Sequence, residues 1–157
     1  MAEPRFRNPL KGNIYRVIDG DTVEVLLDRG WGDSKLTALR IQGVDAPEKS
    51  TRKNPLERRA GRLVMWVVVK WMADRESEGE QFYASSEVKP KYEGRTIGRL
   101  WAGDFARNGS ELSEFLLAGG FVRPYSGATR TPWPDDQLHA IITAAEVFVD
   151  PPAPTEQ

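Results

Sequence analysis

Six positions carry most of the chemistry this 157-residue sequence offers: Asp19, Asp21, Arg40, Asp45, Glu48 and Arg95. Asp19 and Asp21 flank a glycine in VIDGDTVEVLLD, at the mouth of a β-branched, aliphatic run. Asp is depleted in strands, and two like charges so close together repel, so carboxylates placed there ask for a positive partner. Asp45 and Glu48 leave a second strand-like run, LRIQGVDAPE, and Arg40 lies on that run. If the two runs pair as a hairpin, the start of the first lies opposite the end of the second. Asp21 then faces the Val44–Asp45 region, and up to four carboxylates gather at one end of one sheet with Arg40 in reach. Either arginines neutralise that cluster or a cation does. With no cysteine and a single histidine, a metal there would be a hard one held by oxygens, Ca2+ or Mg2+. Asp is also common in turns, and the same residues fit a rim of solvated acids.

The elements that would position these groups follow from periodicity. Ile14–Ile18, Thr22–Leu27, Lys35–Val44, Gln81–Val88 and Arg95–Trp101 read as strands, the first three as an antiparallel meander turned at Asp28–Ser34. From Pro55, the residues Leu56, Ala60, Leu63, Val64, Val67, Val68, Trp71 and Met72 follow helical spacing. A short helix over Glu111–Ala118 follows the turn Asn108-Gly109-Ser110 and stops at Gly119-Gly120. A last helix opens at Pro134-Asp135-Asp136, with Leu138, Ile141, Ile142 and Ala145 as its apolar stripe. Residues 1–12 read as a loose lead-in, 13–149 as one domain and 150–157 as a disordered Pro-rich tail. Strands come mostly first and helices lie outside them. The order fits an α+β fold, a five-stranded Greek-key OB-type β-barrel with three helices packed on it. Periodicity alone does not choose it over another α+β arrangement.

Composition narrows the class. With 39% hydrophobic and 29% charged residues, this is an ordinary globular chain. A net charge of −1 argues against a packaging role on nucleic acid, yet it allows a nuclease that keeps its basic residues local. The apolar run Val64–Met72, interrupted by Lys70, is too short to span a bilayer. No signal-peptide h-region is visible near the start, so a cytoplasmic or phage- or plasmid-borne protein is expected, with export left open for a processed precursor. Trp66, Trp71 and Trp101 fall on core-like spacings, and Trp133 sits where it can cover the barrel. His139 falls on the polar side of the last helix. The basic run Arg52, Lys53, Arg58, Arg59 and Arg62 reads as a solvated face, or else as a contact tracking a nucleic-acid backbone.

VIDGDTVEV, LRIQGVDAPE, EGRTIGRLW and LLAGGFVRPY together resemble the staphylococcal nuclease (thermonuclease-like) family, over about Asn13 to Trp133. The resemblance implies the five-stranded barrel with three helices. It also implies a metal-dependent phosphodiesterase, with Ca2+ the usual ion and Mg2+ or Mn2+ as substitutes. The substrate would be DNA, with RNA as a second one, and 3′-phosphate ends would be left. Carried over by position, Asp21 and Asp45 match the metal-binding acids and the Ala46 backbone carbonyl a further ligand. Asp19 stands one layer further out. Glu48 matches the acid that handles the attacking water. Arg40 and Arg95 match the pair that grips the phosphate. Lys91, Tyr92 and Tyr125 match substrate contacts. Nucleic acid is then the partner, and no membrane or obligate protein partner is implied. A catalytically silent barrel that binds nucleic acid or protein is the alternative. The chain departs from the family pattern at Ala46, where Thr is common, at Glu93, where either Tyr92 is displaced by one residue or Glu93 occupies its place, and between Trp101 and Glu111, which is a few residues longer.

Overall fold

The computed structural model describes residues 9–88, 95–103 and 110–149. Five strands close into a barrel: β1 (Leu10–Asp19), β2 (Thr22–Gly30), β3 (Asp33–Ile41), β5 (Phe82–Val88) and β6 (Arg95–Ala102). β3, β2, β1, β5 and β6 are neighbours in that order, and a parallel β3–β6 pairing closes the ring. Closure leaves no open edge among the five. With three helices packed outside, this is the α+β, OB-type Greek-key barrel expected from the order of elements.

The interior follows from strand alternation. Val23 and Val25 of β2, Leu39 and Ile41 of β3, Ala84 of β5 and Leu100 and Ala102 of β6 are buried. Helix α1 (Pro55–Ser77) starts where Asn54 caps it, its side chain accepting from the Glu57 N–H at 3.1 Å, with Pro55 in the first turn. Its stripe Ala60, Val64, Val67, Val68, Trp71 and Met72 is buried. Helices α2 (Leu112–Ala118) and α3 (Asp135–Val149) are tied to it through tilted aromatic contacts: Phe115 lies 6.0 Å from Trp71 and 5.3 Å from Phe148, centroid to centroid.

Several boundaries differ from the sequence reading. β1 begins at Leu10, because residues 10–12 pair with Phe82–Ala84 of β5. β2 and β3 extend to Gly30 and from Asp33, since Trp31 and Gly32 both take positive φ (58° and 75°) and close a two-residue hairpin. The expected strand Lys35–Val44 is broken after Ile41. Val44–Asp45 forms a separate short strand, β4, paired with β8 (Arg123–Pro124). Ser110–Glu111 forms β7 on the edge of β6, so α2 starts at Leu112, with Glu111 as an N-cap whose side chain makes no cap bond. Trp66, expected in the core, is 50% exposed.

Candidate functional site

Asp19 and Asp21 do not enter one strand together. Asp19 is the last residue of β1 and pairs with Thr22, so Gly20-Asp21 is the turn of a hairpin. Gly20 is needed for closeness: a Cβ there would lie 2.6 Å from Val64 Cγ1 and 2.9 Å from Ala46 Cβ. The hairpin tip is thereby pressed between α1 and the chain leaving β4. Asp21, 8% exposed, accepts from Thr22 Oγ1 at 3.0 Å and from the Ala46 N–H at 3.0 Å. Its backbone carbonyl accepts from the Ile41 N–H at 2.8 Å. One aspartate thus joins the β1–β2 turn to the end of β3 and the start of the 46–54 segment. Asp21 thus faces the Asp45 region across the sheet end, as expected from hairpin geometry.

Asp45 is 0% exposed, and three guanidinium groups surround it. Arg123, its cross-strand partner on β8, reaches Oδ2 with Nε at 3.0 Å and Nη2 at 2.9 Å. Arg130 Nη2 lies 2.8 Å from Oδ1 and also donates to the Ala46 carbonyl at 3.2 Å. Arg40 Nη2 sits between the two acids, 3.5 Å from Asp21 Oδ2 and 3.7 Å from Asp45 Oδ1. Its Nη1 donates to the Ile41 and Val44 carbonyls at 2.9 and 2.8 Å, which holds the β3–β4 bend. Arg123 is itself held, its guanidinium 3.8 Å from the Trp133 ring centroid and its Nη2 donating to the Thr131 carbonyl at 2.6 Å. Burial works against the charge of Arg130, but Asp45 and then Asp21 outweigh it, and its pKa is held above the usual arginine value.

Sequence reasoning missed Arg123 and Arg130. Arg123 lies within the LLAGGFVRPY block, so a signal was present, but no role followed from it. Arg130 stands in the small-residue and Pro-rich stretch SGATRTPWP, and nothing local marks it. Only the fold of that loop brings it to Asp45.

Glu48 is exposed, and its backbone N–H donates to Glu57 Oε2 at 2.9 Å, so the first turn of α1 anchors it. The anchoring depends on Gly61: a Cβ there would lie 2.5 Å from Lys49 N and 2.7 Å from Pro47 O. Burial and then the charge of Asp21, with a lesser push from Glu48, outweigh the opposing charge and backbone N–H of Lys49 and raise the Asp19 carboxyl from 3.8 to about 6. Asp19 Oδ1 is buried without a hydrogen-bond partner among the described residues. Tyr125 belongs to the site: its N–H donates to the Gly43 carbonyl at 2.9 Å, and the Arg40 guanidinium lies 5.7 Å from its ring centroid. Arg95 is exposed at the start of β6, beside Ala38 and two residues short of the Arg40 level, and forms no ion pair with these acids among the described residues. Lys91 and Tyr92, like Glu93, fall outside the described residues.

In kind, the oxygens gathered here suit a hard cation: carboxylates of Asp19, Asp21 and Asp45 and the Ala46 carbonyl, with Asp19 Oδ1 and Asp45 Oδ1 both buried and accepting no hydrogen bond among the described residues, the second of them ion-paired with Arg130. In arrangement, no three acidic side chains among the described residues converge as a ready-made metal site. The cause is visible at Asp45 and Ala46, where Arg130 holds both of the oxygens the sequence reading assigned to a metal. An ion would have to displace that guanidinium.

No family model matches the chain. It is similar to Protein ParB of Escherichia coli, 29% identical over 101 residues, which is 64% of this chain and 46% of that protein. The match therefore spans less than half the length of that relative. No helix among the described residues is long and apolar enough to cross a membrane.

Proposed function

We propose that the chain is a divalent-cation-dependent phosphodiesterase acting on nucleic acid, a nuclease of the staphylococcal type that uses Ca2+. The observation that carries this reading is Arg40 lodged between Asp21 and Asp45, 3.5 and 3.7 Å from their carboxylates, at one end of an OB-type barrel. Asp21, Asp45 and the Ala46 carbonyl would hold the ion, with Asp19 beside them. Bound there, it supplies positive charge to the phosphate oxygens. The remaining work falls to the chain. Glu48, exposed and fixed by Glu57, orients the water and receives its proton as the new oxygen–phosphorus bond forms. The bond to the 5′-oxygen breaks and that oxygen takes a proton from solvent, leaving a 3′-phosphate and a 5′-hydroxyl. Arg40 and Arg95 face the developing charge on the phosphate oxygens, Arg40 once substrate competes for its Nη2.

The test is digestion of plasmid and oligonucleotide substrates with Ca2+, with EDTA and with Glu48→Gln. The expected result is cutting that needs the ion and falls about 10²–10³-fold in the variant. Metal-independent cutting, or full activity without Glu48, overturns the reading. One observation favours a second reading, a silent nucleic-acid-binding barrel: Arg130 already neutralises Asp45 and caps the Ala46 carbonyl. Oligonucleotide binding without cleavage in any divalent ion would select it.

A further inference from the structure

An open groove of about 730 Å3 lies between the segment after Glu48 and the outer face of α1, with neither Asp21 nor Asp45 in its lining. Its walls carry Lys49, Arg52, Arg58 and Arg62, with Trp66 at one side and no acid in the lining. Arg58, Arg62 and Trp66 are four residues apart on the helix, so they form one stripe. Arg58 donates to the Thr51 carbonyl at 3.2 Å and so holds the opposite wall in place. Neither Arg52 nor Arg62 pairs with a carboxylate among the described residues. By contrast Arg59, one step round the helix, is paired with Glu146 at 2.9 Å. Trp66 is 50% exposed, and no cation covers its ring among the described residues. An indole left half in water beside unpaired guanidinium groups offers both phosphate recognition and a stacking face. The groove also leads somewhere: Lys49, on its wall, adjoins Glu48 in sequence, and its charge acts on Asp19.

We propose that this groove binds a single-stranded nucleic-acid segment, its phosphates on Arg52, Arg58, Arg62 and Lys49 and one base stacked on Trp66. For its choice of macromolecule the proposal rests on the nucleic-acid reading of the acidic site. Single strands are favoured because the stacking face needs an unpaired base, and a duplex keeps its bases inside. The site would hold the strand next to Glu48 without entering the chemistry.

The experiment is fluorescence anisotropy of a labelled oligothymidylate titrated with the full chain in EDTA, so that binding is read without cleavage. Trp66→Ala should weaken binding about tenfold, with Trp66→Phe between it and the native chain. Arg62→Gln should weaken it and lower the slope of log K against log salt by about 0.7. Trp66 and Arg62 are both exposed, and a matching thermal melt confirms that each variant folds. Undiminished oligonucleotide binding in both variants overturns the proposal whatever the nuclease assay shows. So does absence of binding by the native chain, or binding only to anionic phospholipid vesicles through these residues. Loss of binding in the variants of a chain that never cleaves supports the groove and removes the nuclease reading alone.

Discussion

Asp45 has no exposed surface, and its charge is compensated from three directions by Arg40, Arg123 and Arg130. Of the three, Arg130 is the most exposed, and it alone also takes the Ala46 carbonyl. That makes it the group an incoming cation must displace. Arg130→Gln removes the competing charge while Arg123 and Arg40 still compensate Asp45. Ca2+ should then bind about fivefold more tightly, on the order of 1 kcal/mol for a part-exposed pair. Isothermal titration reads this directly, and weaker binding in the variant would mean that Arg130 supports the site instead. Asp19 supplies a second outcome at this scale. Its folded pKa is raised to about 6 from 3.8 by burial and by Asp21 and Glu48, with Lys49 opposing. The folded state therefore holds the proton more tightly than the unfolded one, and stability falls as pH rises from about 4 to 6. Above that window, metal-free Asp19→Asn should be more stable than the native chain by on the order of 1 kcal/mol, after discounting for solvent screening. The difference should vanish below the window. Urea melts across pH check it, and an equal gap at every pH would assign the effect to packing.

At the level of elements, the site is a junction clamped by close backbone approach. The β1–β2 turn, the Pro47–Lys49 segment and α1 meet where Gly20 and Gly61 have no side chain to keep them apart. Gly61 stands inside α1, where alanine is the better helix former by about 1 kcal/mol. Its Cβ would lie 2.5 Å from Lys49 N and 2.7 Å from Glu48 C, both backbone atoms that cannot swing aside. Overpacking of this kind costs about 1–3 kcal/mol, so the clash outweighs the propensity. Gly61→Ala should destabilise the chain by about 1 kcal/mol and move Glu48. Chemical denaturation gives the sign, and amide shifts confined to residues 47–49 and the first turns of α1 give the location. A stabilised variant would show that the segment yields freely.

For the whole molecule, the closed barrel supplies a rigid end on which loops from distant parts of the chain converge. Asp19 and Asp21 come from the first hairpin, Asp45 from β4, Arg123 from β8, and Arg130 from the loop before α3. An ion binding at that end of the folded state only must raise the melting temperature. At about 100 times its Kd the gain is ~2.7 kcal/mol, which for a chain of this size is about 5–10 °C. Calorimetry in Ca2+ against EDTA measures it. No shift at millimolar Ca2+ would remove the metal from the proposed function and leave Asp45 as a buried ionic joint.

How much of this was legible depends on how local the cause was. The helical stripe of α1, the strand alternation and the meeting of Asp21 with the Asp45 region are consequences of spacing and hairpin geometry, and they could be read from the chain. The sequence by itself also narrowed which chemistry the acids allow, because without cysteine and with one histidine no site rich in sulfur or nitrogen can form. The break after Ile41 was not legible, because β4 is defined by its partner β8, nearly eighty residues away. Trp66 looked like core by spacing, yet the buried stripe of α1 is the one covered by the barrel and α3, and Trp66 lies off it. What only the tertiary structure decided is the charge balance of the acids. Coulomb energy depends on distance in space, so the arginines that hold Asp45 carry no local mark in the sequence until the fold brings them there.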